Sequence, residues 1–188
     1  MTTICAVSLD ETDAEKIQSW FSNEFFRVYT GNDEIGSEIG VAVKNSIAFA
    51  SGILEGLGYG DNARAALMTR GLAEIIRFGT ALGGRFETFM GLTGIGDLIV
   101  TCTSWHSRNF QAGYEVGKAD SAKIFWDENT KTVEGVRTAK VVHEIAQEKH
   151  IEMPINEEIY KVMYEGKKPS QCAKDLMLRD LKAEIEHG

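Results

Sequence analysis

Proline is nearly missing from this chain: Pro154 and Pro169 are the only two in 188 residues. Long helices can therefore run uninterrupted. Cysteine is scarce as well. Cys5, Cys102 and Cys172 are odd in number and widely spaced, which speaks against a disulfide framework and fits a reducing compartment. His106, His143, His150 and His187 show no ligand spacing with the cysteines, so no metal centre is expected. No run reaches the ~20 consecutive apolar residues of a membrane span. The first ten residues carry no basic region ahead of a short apolar run; no signal peptide is expected, and the chain reads as cytoplasmic. Positive charge is in deficit. Lys and Arg number 20 against 28 Asp and Glu, a formal net charge of −8. That argues against broad binding to nucleic acid or anionic membrane, while leaving room for a local pocket that takes a small anion.

What is present is the composition of a soluble globular protein, 43% hydrophobic and 26% charged. The length suits one domain, or one domain and a fragment. Residues 4–9 read as a short buried strand. A helix from about Asp13 to Ser22 follows, capped by Asp10 or Thr12, and residues 25–30 alternate as a second strand. A parallel pair of this size leaves edges and faces that α/β folds normally cover. The expectation is that the chain begins inside a larger domain.

From residue 31 the pattern turns helical. The most telling stretch is 38–54, where Ile39, Val43, Ile47, Ala50 and Leu54 recur at helical spacing and small or apolar residues fill most of the remaining faces. A helix apolar nearly all round belongs inside a bundle. Lys44 and Asn45 sit side by side at its centre. Most such lysines snorkel outward on their long stems; the alternative is an acidic partner or a cavity, where burial disfavours the charged form and suits the amine to proton transfer. Asp61 or Asn62 is expected to cap the next helix, which Gly83-Gly84 ends. Ser107 is expected to cap a helix running through Tyr114, and one short helix falls between Gly117 and Asn129. Helices at Glu134–Lys149 and Asn156–Tyr164 follow, then a last one capped by Ser170. Gly56-Leu57-Gly58-Tyr59-Gly60 superficially matches a dinucleotide loop, but it follows a helix and is rejected.

The second unusual stretch is Gly94-Ile95-Gly96-Asp97, continuing through Cys102 to Ser107-Arg108-Asn109. Asp97 stands among apolar neighbours, where it is either a helix cap or a site residue. Ser107-Arg108-Asn109 at a helix start is either an ordinary cap with a solvated arginine or a phosphate site built from backbone N–H groups, a guanidinium and an amide. Cys102 has no evident histidine–carboxylate partnership beyond nearby His106 and reads as a buried structural thiol.

Together these stretches resemble the NAD(P)-dependent glycerol-3-phosphate dehydrogenase family. The resemblance is carried by Val43-Lys44-Asn45, Gly58-Tyr59-Gly60-Asp61-Asn62-Ala63-Arg64, Phe89-Met90-Gly91-Leu92, Gly94-Ile95-Gly96-Asp97, Thr101-Cys102-Thr103-Ser104, Ser107-Arg108-Asn109, Val133-Glu134-Gly135 and Met153-Pro154-Ile155. It extends over essentially the whole chain. It implies a mainly α fold: an all-α bundle like the C-terminal domain of 6-phosphogluconate dehydrogenase at 31–188, preceded at 1–30 by the end of a Rossmann domain. It implies interconversion of glycerol 3-phosphate and dihydroxyacetone phosphate for glycerophospholipid synthesis, with NAD or NADP as cofactor. By the same resemblance Lys44 is the proton acceptor, and Asp97, Ser107, Arg108 and Asn109 line the glycerol-phosphate site. Arg108 and Glu134 also approach the nicotinamide cofactor.

The family's glycine-rich nucleotide-binding turn has no counterpart in these residues. The 188-residue chain alone is therefore expected to turn over little or not at all. The competing expectation is a non-catalytic helical module that binds glycerol phosphate at most weakly and pairs with a second copy through its orphan strands.

Overall fold

The structure, a computed structural model, describes residues 1–180. Two strands, β1 (Thr2–Val7) and β2 (Phe26–Gly31), pair in parallel with Thr2 opposite Phe26 and Val7 opposite Gly31. Helix α1 (Glu11–Phe21) crosses between them, its first turn capped by the Asp10 carboxylate, which accepts from Thr12 N at 2.9 Å. The expected strand–helix–strand order holds, with each strand shifted by one or two residues.

All further regular structure among the described residues is helical: α2 (Glu34–Gly56), α3 (Asp61–Ala81), α4 (Phe86–Phe89), α5 (Asp97–Thr103), α6 (Arg108–Ala119), α7 (Lys123–Glu128), α8 (Glu134–Lys149), α9 (Pro154–Tyr164) and α10 (Pro169–Met177). A π-helical turn over Leu92–Gly96 leads into α5. No described helix is long and apolar enough to cross a membrane.

Helix α2 is the axis of this bundle. Val43, Ile47, Ala48 and Phe49 are at most 1% exposed, so apolar neighbours surround its middle on every side. Its start is fixed by Asp33, which accepts from Gly36 N at 2.9 Å, from Arg85 N at 2.8 Å and from Thr88 Oγ1 at 2.6 Å. One buried carboxylate thus caps α2 and holds the segment after α3 in place. Helix α6 lies against α2 in unusually close, parallel contact, because Gly52 and Gly56 face Gly113 and Gly117. A Cβ at Gly113 would overlap the carbonyl oxygen of Phe49, and one at Gly52 the carbonyl oxygen of Phe110. Small residues four apart on both helices are what permits that approach. It also explains why α6 runs five residues beyond Tyr114: its glycines are packing positions, and Asp120 at φ 48° ends the helix.

Helix α3 carries a less expected feature. Glu74 is only 2% exposed. Its carboxylate oxygens accept from Ile155 N at 2.6 Å and Asn156 N at 3.2 Å, closing the N-terminus of α9 after Pro154. Burial is the largest influence on this carboxyl and raises it to about 7, against the opposing pull of the two N–H groups and Arg77.

Two capping expectations fail. Gly60, not Asp61 or Asn62, takes the N-cap of α3. Lys168 takes that of α10, while Ser170 N and Oγ both donate to the Asp120 carboxylate at 2.8 Å. Lys168 offers no side-chain acceptor as N-cap, so the orphan N–H of Ser170 in the first turn is satisfied by Asp120, while Pro169 has no N–H to satisfy.

Candidate active site

Lys44 lies midway along α2 with its side chain 12% exposed, so it does not snorkel to bulk water. Its Nζ sits 2.5 Å from Asp97 Oδ2 and donates to Thr101 Oγ1 at 3.1 Å. Both acceptors come from α5, one turn apart. The Thr101 hydroxyl donates in turn to the Asp97 carbonyl at 2.6 Å. Two of the three ammonium N–H groups are thereby held; the third has no protein partner among the described residues. The π-helical turn brings α5 to this position. Gly94 leaves no room for a side chain against the Phe89 backbone, and a Cβ at Gly40 on α2 would come within 2.8 Å of the Thr93 carbonyl oxygen. Asp97 is not a cap: Gly96 takes that position without a side-chain bond, and the Asp97 carboxylate goes to Lys44 instead.

The neighbouring Cys102 is fully buried, and burial pushes its thiol up to about 12 although Lys44 opposes this. Such a thiol is not a nucleophile at neutral pH.

A second cluster forms where α6 and α8 begin. Ser107 Oγ accepts from Phe110 N at 3.3 Å as the N-cap of α6. Arg108, the first residue of α6, lies 3.3 Å from Glu134, the first residue of α8; both side chains are about half exposed, at 54% and 53%. Asn109 is 6% exposed. Its Nδ2 donates to Asn45 Oδ1 at 3.0 Å and its Oδ1 accepts from Gly135 N at 2.8 Å. The amide is thus a strut tying the starts of α6 and α8 to the residue beside Lys44. Trp105 stacks edge-on against Phe110 and Tyr114 with ring centroids 5.0 Å away, and Gln111 Nε2 donates to its carbonyl at 2.5 Å, fixing the loop before Ser107.

All six candidate residues therefore fall into two groups. Lys44 and Asp97 meet directly, Arg108 and Glu134 meet directly, and Asn109 reaches the first group through Asn45, while Ser107 holds the helix start. Two helix N-termini at one place favour an anion, since unpaired N–H groups and helix dipoles point outward there. Thr101 and Asn45 had no role assigned from sequence. Thr101 could have been found from its spacing, four residues after Asp97 on a helix; Asn45 was visible as a second polar residue in an apolar helix. Among the described residues no group of three His, Cys, Asp or Glu is placed to hold a metal ion.

Comparison with known proteins sets this geometry in a family. Residues 33–174 match the family described as NAD-dependent glycerol-3-phosphate dehydrogenase C-terminus. The glycerol-3-phosphate dehydrogenase [NAD(P)+] of Staphylococcus aureus is 53% identical over 183 residues, covering 97% of this chain and 55% of the relative. The crystal structure of glycerol-3-phosphate dehydrogenase from Coxiella burnetii superposes with a TM-score of 0.88 at 37% identity, covering 95% of this chain and 55% of that one. The enzyme from Saccharomyces cerevisiae superposes with a TM-score of 0.76 at 31% identity, covering 88% and 48%. The chain thus spans about half the length of the relatives it matches. The match over residues 33–174, with the 53% identity over nearly the whole chain, places the chain in the NAD-dependent glycerol-3-phosphate dehydrogenase C-terminus family.

Proposed function

We propose that this chain supplies the substrate-binding and proton-transfer part of a glycerol-3-phosphate dehydrogenase, which interconverts glycerol 3-phosphate and dihydroxyacetone phosphate for glycerophospholipid synthesis. The observation that carries the reading is the Lys44 ammonium, buried and held by Asp97 and Thr101 with one N–H to spare. Reduction of dihydroxyacetone phosphate needs a proton at the C2 oxygen; Lys44 gives it, and takes it back in oxidation. Asp97 and Thr101 keep the amine in one orientation, so its geometry is set before substrate arrives. Ser107, Arg108 and Asn109 hold the phosphate at the start of α6. Arg108 offers a guanidinium fork, and Asn109, already spent on Asn45 and Gly135, acts mainly by keeping that start in register.

Hydride exchange at C2 is what a bound NAD or NADP supplies. Arg108 and Glu134 fit its nicotinamide end, since both are half exposed and joined by a 3.3 Å contact that a ligand can reopen. No described strand is followed by a glycine-rich turn, so these residues do not fit the pyrophosphate. Residues 1–30 serve, on this reading, as the end of a dinucleotide-binding domain and 31–188 as the substrate domain, in a cytoplasmic enzyme. The open edges of the β1–β2 pair favour a homodimer as the alternative use of that surface; sedimentation showing a monomer at high concentration would exclude it.

Calorimetric titration of the 188-residue chain with dihydroxyacetone phosphate tests the site. Saturable binding that Arg108→Ala weakens about tenfold or more is expected. A chain indifferent to the ligand, or an Arg108→Ala variant that binds as well as the parent, overturns the assignment. In a nicotinamide-dependent assay the same chain by itself is expected to turn over little.

A further inference from the structure

A second cavity, of about 460 Å³, opens between α3, the start of α9 and α10. Its size falls within the range of small-molecule sites, and it shares no residue with the clusters described above. Its polarity is divided along its length. At one end the walls are Leu54, Ala66, Leu67, Ala173, Leu176 and Met177. At the other, α3 presents Arg70, Glu74 and Arg77 at successive turns of one face, with Arg179 opposite.

The charges at that end are unequally satisfied. Arg77 spends one N–H on the Glu152 carbonyl and Arg179 pairs with the Glu152 carboxylate. Arg70 makes no hydrogen bond or ion pair with a described residue. Glu74 forms the floor, 2% exposed, both oxygens occupied by α9. Asp180 is the remaining acid on the rim. The three arginines are matched in number by Glu74, Glu152 and Asp180. Glu152 is taken by Arg179, however, and burial raises the Glu74 carboxyl to about 7, so the cation left over at the mouth of the apolar slot is Arg70. An apolar body with an anionic head matches both ends at once.

We propose that this groove binds an amphipathic anion, an aliphatic chain ending in a carboxylate or phosphate, with the chain against Leu67 and Leu176 and the head on Arg70 and Arg77. The groove is separate from the Lys44 site, so occupancy would be read at a distance from the chemistry.

The test is a titration of the full 188-residue chain, below micelle-forming concentration, with decanoate, decyl phosphate and decanol. Both anions are expected to bind saturably and decanol at least tenfold more weakly. Arg70→Ala combined with Arg77→Ala is expected to lower decanoate affinity tenfold or more, and Ala66→Trp, which fills the apolar end, to abolish binding. Circular dichroism and dihydroxyacetone phosphate titration verify that each variant is folded; a less disruptive Ala66→Leu, expected to weaken binding, serves if the tryptophan variant is not. Preference between carboxylate and phosphate identifies the head group. Equal binding of decanol, or decanoate affinity unchanged in both arginine and Ala66 variants, overturns the proposal. So does decanoate binding only to a chain ended at Asp180, which would mean residues 181–188 occupy the groove.

Discussion

Glu74→Gln separates a buried acid's contribution from everything else that titrates. The Glu74 carboxyl is raised from 4.5 to about 7 in the folded chain, chiefly by burial. The folded state therefore holds this proton more tightly than the unfolded state. Its favourable contribution is complete below the unfolded value near 4.5 and is lost as pH rises toward and through about 7. At about 1.4 kcal/mol per pH unit, the whole difference is about 3 kcal/mol, and about 2–3 kcal/mol of it falls between roughly pH 5 and pH 8. Arg77 and Arg179, the cations that bear on Glu74, stay charged throughout this range. Glutamine has nearly the same shape and cannot ionise. It can satisfy one of the N–H groups of Ile155 and Asn156, and leaving the other unpaired costs about 1–3 kcal/mol. The variant should thus be somewhat less stable than the parent at the acid end and lose less as pH rises. Urea unfolding followed by circular dichroism reads this directly. With a slope of about 2–3 kcal/mol/M, the parent's midpoint should fall by about 1 M more than the variant's across that range. Other titrating groups are common to both proteins and cancel in the comparison. Parallel pH profiles would refute the reasoning, because they would mean Glu74 stays ionised in the fold at little cost.

Gly113→Ala should lower stability by about 1–3 kcal/mol or more in the same urea assay, since the new methyl group meets the Phe49 carbonyl where α2 and α6 touch. Phe49→Ala removes a fully buried ring and should cost about 3–5 kcal/mol. Asn109→Ala leaves Gly135 N and Asn45 Oδ1 unpaired; the expected result is weaker dihydroxyacetone phosphate binding by calorimetry, together with a stability loss of about 1–3 kcal/mol. Asn109→Asp, which keeps the acceptor for Gly135 but loses the donor to Asn45, should bind better than the alanine variant if register is what matters.

The features legible in sequence were those fixed by local chemistry. Helix α8 fell at its observed limits because one clean apolar stripe runs from Val136 to Ala146 between a glutamate start and a lysine end. Ser107 was found as a cap because the donor it accepts from, Phe110 N, lies three residues away. Lys44 was conspicuous because a charge in a wholly apolar helix needs a partner, and Asp97 stood out for the same reason. What escaped detection depends on residues far apart in the chain. Glu74 reads as an ordinary charge on an amphipathic helix until Ile155 and Asn156, 81 and 82 residues on, arrive at its carboxylate. Asn109 looked like a ligand for phosphate, yet one amide N–H goes to Asn45 and its oxygen accepts from Gly135, half of its hydrogen-bonding capacity. The helix after Ser107 was expected to run through Tyr114, and only the partner helix α2, on which Gly117 packs, shows why it continues to Ala119.

The role of Lys44 is tested most directly by Lys44→Met in a chimera where this chain replaces the matching part of the Staphylococcus aureus glycerol-3-phosphate dehydrogenase [NAD(P)+], with dihydroxyacetone phosphate affinity measured beside turnover. Loss of a positioned proton donor should lower turnover by about 10²–10⁴-fold, while Arg108 and the start of α6 still hold the phosphate and keep binding within about tenfold of the parent. Turnover close to that of the parent enzyme would contradict Lys44 as the group that moves the proton.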